Sequence, residues 1–209
     1  MKEISKLMKR VIQYICLIII DLLGFFTSLL IAWILRKEVM SVFFSNLPVF
    51  HFSYAHFISF WWMPAIFIFF IFYEGLYDTN QPFWDEVRKL VKSLSLSSIT
   101  LMAIVTLGKM GDRVSRLVLL SMWILSIFIF PVFRLLGKKI LYRTGIWRER
   151  ILILGAGNAG KLVMEGLQRE KHMGYDVVGF LDDDEEKIGT VINGKTVFGR
   201  VTEFTKFKN

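Results

Sequence analysis

Ile151-Leu152-Ile153-Leu154-Gly155-Ala156-Gly157-Asn158-Ala159-Gly160 is a short apolar run that closes on Gly-x-Gly-x-x-Gly. A helical pattern follows over Asn158–Arg169, with Leu162, Val163 and Leu167 apolar. Strand, tight turn and helix start, in that order, open a βαβ unit of the nucleotide-binding kind. Gly155 makes the turn, Gly157 leaves the backbone open to a phosphate, and Gly160 lets the helix lie close on the strand. Asn158 opens the helix, whose free N–H groups and positive dipole end suit an anion. Further on, Tyr175–Leu181 reads as the second strand. Asp182 follows it, 22 residues past Gly160, where such a unit places its ribose-binding carboxylate. The competing reading of the acidic run 182–186 is a solvated turn. Gly155, Gly157, Asn158, Gly160 and Asp182 are the candidate nucleotide-binding residues. The run would repel a 2′-phosphate, which disfavours NADP. Two β-rich stretches then flank Asn193-Gly194, a hairpin signal, and a second helix could begin at residue 201.

Outward from this stretch the chain changes character. Hydrophobic residues make up 54% of the 209, above the roughly 45–50% of globular domains. The excess sits in uncharged runs within residues 11–136, the pattern of a polytopic membrane protein. Residues 1–150 hold 18 Lys/Arg against 9 Asp/Glu, and residues 151–209 hold 8 against 9. The basic residues flank apolar runs, so membrane topology accounts for them and nucleic acid is not an expected partner. Cys16 is the only cysteine and cannot form an intrachain disulfide. The N-terminal basic cluster leads into a 25-residue apolar run with no small-residue cleavage site, which reads as a retained anchor.

Four spans are expected. The first covers residues 11–35, with Asp21 near mid-depth; an ionisable group there should face the bundle. No charged partner for it stands out, so a carboxylate bonded to a neighbouring span is the expected arrangement. Residues 39–73 carry no Asp, Glu, Lys or Arg. Pro48, His51 and His56 mark a loop, and the second span covers residues 56–73 behind Trp61 and Trp62. His51 and His56 read as interfacial polar residues, and no metal ligand is assigned. An amphipathic helix start at Asp85-Glu86 precedes a third, short span over residues 93–108, where Ser93, Ser97 and Thr100 form one polar stripe for packing. The fourth span covers residues 117–133, with Pro131 expected to kink its inner end. Arg134, Lys138, Lys139, Arg143, Arg148 and Arg150 then make a basic amphipathic segment on the membrane surface. The positive-inside rule places both termini in the cytoplasm.

The fold expected is therefore an α-helical membrane bundle of four transmembrane helices followed by a partial α/β Rossmann-like unit. Residues 1–136 form the transmembrane domain and 137–150 the juxtamembrane segment. Residues 151–209 form a truncated Rossmann-like domain of the CoA/NAD-binding kind, whose uncovered face and edge want a partner.

Several motifs carry a resemblance. They are Tyr77 with Gln81-Pro82-Phe83-Trp84-Asp85-Glu86, Pro131-Val132-Phe133-Arg134, Gly145-Ile146-Trp147-Arg148, and the Gly-rich stretch followed by Gly174-Tyr175-Asp176-Val177-Val178-Gly179-Phe180-Leu181-Asp182-Asp183. In order and spacing the chain resembles the N-terminal region of the bacterial polyprenyl-phosphate hexose-1-phosphate transferases of the undecaprenyl-phosphate galactose phosphotransferase (WbaP-like) type. The resemblance implies a bacterial cytoplasmic (inner) membrane location. It also implies transfer of a sugar 1-phosphate from a UDP-sugar to undecaprenyl phosphate by the full-length enzyme, initiating O-antigen, capsule or exopolysaccharide synthesis. The lipid bilayer and a second copy of the chain are the other expected partners. The family's chemistry resides in an acidic dyad of a further domain, which is absent from residues 1–209, so no catalytic residue is assigned and no activity is expected of them alone. Membrane-bound nucleotide-sugar 4,6-dehydratases share a similar front end, and a non-enzymatic membrane scaffold is a third reading. Pro82-Phe83-Trp84 and Gly145-Ile146-Trp147 favour the transferase.

Overall fold

The computed structural model describes residues 2–40, 50–77 and 81–204. Pro48 and the turn residues 78–80, on which loops were expected, lie outside them. At residue 201, where a second helix could begin, the chain makes a 3-10 turn, Val201–Glu203, and residues 205–209 lie outside the described residues. The chain divides into two compact units, Met1–Gly137 and Lys138–Asn209.

The first unit is helical. Helix α1 runs Lys2–Ile34 and passes into a π-helical turn, Leu35–Val39. The short α2 (Tyr54–Ile58) starts on Ser53, whose hydroxyl accepts the His56 N–H. Then come α3 (Trp62–Tyr73), α4 (Phe83–Leu107) and α5 (Arg116–Arg143). Among the described residues, three stretches are long and apolar enough to cross a membrane: Leu7–Val39, Phe83–Leu107 and Arg116–Arg143. The expected second span is instead divided. Helix α3 has 12 residues, about 18 Å at the helical rise, short of a ~30 Å core. Its Pro64 lacks the N–H that would continue a helix back to Phe60, so the helix restarts after the break at 59–61. The charged start at Asp85-Glu86 and the third span, in contrast, are one continuous helix. Ser93 and Ser97 are fully buried on it and donate to the Lys89 and Ser93 carbonyls, as suits a packing face.

Helices α1 and α5 meet at small residues. A Cβ on Gly24 would stand 3.4 Å from the Phe130 ring, and one on Gly137 would collide with Ile20 at 2.4 Å. Phe67 packs edge-on against Phe25 and stacks on Phe130, tying α3 into the same core. Helix α5 continues through Pro131 to Arg143, ten residues past the expected end of its span. The basic segment after it therefore begins as helix. Two of its six basic residues are not on a surface: Arg134 and Lys138 are each 1% exposed. Each has a partner that offsets the cost of leaving water, Arg134 in an ionic network described below and Lys138 over the Trp147 ring.

The second unit contains β1 (Glu149–Leu154), α6 (Asn158–Arg169), β2 (Tyr175–Leu181), β3 (Val191–Ile192) and β4 (Lys195–Gly199). The sheet order is β1-β2-β4-β3. Strands β1, β2 and β4 are parallel; β3 returns antiparallel on β4. The hairpin turns at Asn193 and Gly194, both at positive φ (47° and 78°), as a two-residue turn of this kind requires. Met164 of α6 packs with Ile153, Val177, Phe180 and Val197, so this helix covers one face of the sheet. On strand positions alternating with that core, Val178 and Phe198 are partly exposed (37% and 41%).

Candidate functional site

The parallel register sets Leu154 beside Leu181, so the residues that follow the two strands meet at their carboxyl ends. The Gly155 N–H donates to the Leu181 carbonyl at 2.7 Å. The next amide, that of Ala156, donates to Asp182 Oδ2 at 2.7 Å, and Asp184 N–H donates to Oδ1 at 3.0 Å. The Ala156 amide, then the Asp184 amide, hold the Asp182 carboxyl below the usual carboxylate range, with Lys187 adding a smaller pull. Lys187, in turn, is held charged to higher pH by Asp184, 3.0 Å away.

All five candidate residues converge here. Gly155 lies at φ +96°, a conformation that favours glycine. The space where Gly155 and Gly157 would carry a Cβ is open, with no atom within 4 Å. A Cβ on Gly160 would lie 2.0 Å from the Gly155 carbonyl oxygen, so α6 can approach the turn this closely only with glycine there. Gly157 is the N-cap of α6 and no side chain caps it; Asn158 begins the helix and is exposed. The turn thus offers an open backbone concavity, helix N–H groups and a pre-oriented carboxylate. Each oxygen of Asp182 keeps lone-pair capacity for a hydroxyl donor beyond its one backbone bond. An anion over Gly155–Gly157 would meet helix N–H groups, and a hydroxyl donor would meet the Asp182 carboxylate.

A second constellation lies in the helical unit and was missed in the sequence. Arg134 of α5 donates from Nε and Nη2 to the two oxygens of Asp21 on α1, both at 2.8 Å. Its Nη1 donates to Glu86 Oε1 on α4 at 3.0 Å and to the Leu76 carbonyl at 3.1 Å. The Tyr77 hydroxyl donates to Asp21 Oδ2 at 2.7 Å, and the guanidinium lies over its ring. Burial, then the Asp21 charge, pushes the Tyr77 phenol well above the usual range, so it stays a donor. Asp21 therefore has a charged partner after all. The fork of one arginine joins three helices and the turn before α4, with bidentate geometry. The signal was available: one acid inside an uncharged run, and one arginine at the end of another. The basic pattern places Arg134 in an amphipathic segment on the membrane surface, whereas the structure buries it among the helices.

A family model described as a CoA-binding domain matches residues 73–208. The chain is 32% identical over 108 residues to the undecaprenyl-phosphate galactose phosphotransferase of Salmonella typhimurium, covering 52% of this chain and 22% of that protein. It is 29% identical over 121 residues to the UDP-galactose-lipid carrier transferase of Erwinia amylovora, covering 58% and 25%. An uncharacterized sugar transferase of Haemophilus influenzae is 29% identical over 105 residues, covering 50% and 22%. The chain thus spans about a quarter of the length of the curated relatives it matches. The similarity to the WbaP-like region, expected from the motifs, is present.

Proposed function

Because the chain belongs to the CoA-binding domain family over residues 73–208, we propose that it is the membrane-anchoring and Rossmann-like regulatory part of an undecaprenyl-phosphate sugar phosphotransferase. Such an enzyme moves a sugar 1-phosphate from a UDP-sugar to undecaprenyl phosphate at the bacterial inner membrane. The observation that carries the reading is the 32% identity to a relative named for this transfer. In this reading residues 1–136 are a four-span membrane domain, with α2 and α3 together making the second crossing. Residues 137–150 are the juxtamembrane segment, and 151–209 hold the Rossmann-like unit. Both termini are cytoplasmic.

Residues 1–209 do not carry the transfer by themselves. Asp21 and Glu86 are bound to Arg134, and both Asp182 oxygens accept backbone N–H groups, so the carboxylates described here hold structure rather than attack a phosphate. The Gly-rich turn senses a nucleotide through Gly155, Gly157, Asn158, Gly160 and Asp182, and the acidic run selects against a 2′-phosphate. When bound, the nucleotide contributes its phosphate charge to the α6 N-terminus; the chain contributes the open backbone and the fixed carboxylate.

The test is purified chain in micelles with a UDP-hexose and undecaprenyl phosphate. No UMP release is expected. Release that disappears when the chain is withdrawn overturns the division of labour. A reporter fused after Asp112 should read outside and one after Arg150 inside; a cytoplasmic signal at 112 refutes the four-span arrangement.

A further inference from the structure

The Gly-rich turn occupies the carboxyl ends of the parallel strands. A separate cleft of about 350 Å³ opens at their amino ends. Tyr175 and Asp176 begin β2, Lys195 begins β4, and Gln168 and Lys171 come from the end of α6 and the turn after it. Tyr142, from the last turn of α5, closes one side. The seven residues of β2 separate this cleft from the turn by about 20 Å at the strand rise. The two are therefore different sites.

We propose that this cleft binds a hydroxyl-bearing phosphomonoester, with Lys171 and Lys195 on the phosphate. Its charges are the first reason. Lys171, Lys195 and Asp176 line one cleft, yet among the described residues none of them is in an ion pair, with one another or with any other group. Opposite charges facing a shared space without closing on each other leave room for a group between them. Two ammonium groups against one carboxylate give the lining a net positive charge, and the Arg148 guanidinium stacks 4.9 Å from the Tyr142 ring at its side. Lysine ammonium groups suit a phosphate as mobile point charges. A plain anion would be repelled by Asp176, whereas a hydroxyl donates to it. Gln168 can donate and accept beside it. Tyr142 and Tyr175 add aromatic surface to the lining, which suits the apolar side of a sugar-like body. The volume is at the small end for a ligand site, of the size of one phosphorylated monosaccharide rather than a dinucleotide.

The proposal does not rest on the transferase reading. It is tested on the full chain in detergent micelles by calorimetric titration with glucose 6-phosphate, inorganic phosphate and glucose. Glucose 6-phosphate should bind more tightly than either of the others. Lys171→Gln with Lys195→Gln should weaken it at least about tenfold, as loss of charged hydrogen bonds does. Asp176→Asn should weaken glucose 6-phosphate and leave inorganic phosphate unweakened. Lys161→Gln, on the exposed surface of α6 near the other end of the strands, should leave the glucose 6-phosphate affinity unchanged. Near-ultraviolet dichroism of the aromatic side chains reports that each variant is folded. Equal binding of inorganic phosphate and glucose 6-phosphate overturns the assignment, as does no binding up to about 10 mM. If the lysines serve only the carbonyl end of α6, the double variant lowers the melting temperature and keeps its affinity, which also overturns it.

Discussion

Asp21 and Asp182 are each hydrogen-bonded by groups that fix a turn of the chain, but in different surroundings. The Asp21 side chain is 1% exposed and locked by a guanidinium and a phenol. The Asp182 side chain is 14% exposed and accepts two backbone amides beside a partly exposed lysine. Remove a partner from the first and a charge is left where no water can replace it; remove one from the second and water fills in. The helical unit therefore adds to its apolar core of Phe25, Phe67 and Phe130 a buried charge network that fails with the loss of one partner, whereas the core of the sheet unit is apolar contacts such as Met164, Phe180 and Val197.

The sharpest way to break this contrast is Arg134→Met. It strands Asp21 and Glu86, so a loss of about 3–5 kcal/mol is expected, as for other buried pairs deprived of one partner. Thermal unfolding in micelles, followed by thiol-dye labelling of Cys16, measures it. A change under about 1 kcal/mol would mean that water reaches the network.

Gly160→Ala comes next. Its methyl would meet the Gly155 carbonyl oxygen, a backbone atom that cannot rotate away, so about 1–3 kcal/mol should be lost by overpacking. Gly157→Ala, at a position with open space, should change stability little while reducing nucleotide affinity. Paired melts of the two variants sharpen the distinction between a glycine needed for packing and one needed for a ligand.

The smallest effect belongs to Asp182 and is read through pH. Its folded pKa lies below the ordinary value of 3.8, so the folded state favours the ionised form. That contribution is fully present above the ordinary carboxylate range and is lost as the pH falls through the lower folded value, below about pH 4. Asp182→Asn should flatten the part of the acid limb of melting temperature against pH that belongs to this group. An acid limb identical in the variant would show that the two backbone bonds contribute nothing.

How much of this was legible follows from the range of the interactions. Local pattern reached the hairpin at Asn193-Gly194, helix Asn158–Arg169 and strand Tyr175–Leu181, because turn chemistry and periodicity act within a few residues. The division at Pro64 and the continuity of α4 were not reached, since apolar content alone does not say where a helix starts. The Gly-rich turn was recognisable because its steric demands fall on consecutive residues. The sequence by itself determined a front of apolar helices long enough to cross a membrane, a βαβ-type start and the five residues that gather at its turn. Only the tertiary structure decided that Arg134 leaves the surface for Asp21, 113 positions earlier, and that Ala156 N–H orients Asp182. Both are contacts between distant segments whose partners become identifiable only when packing removes the water that would otherwise have served either group equally well.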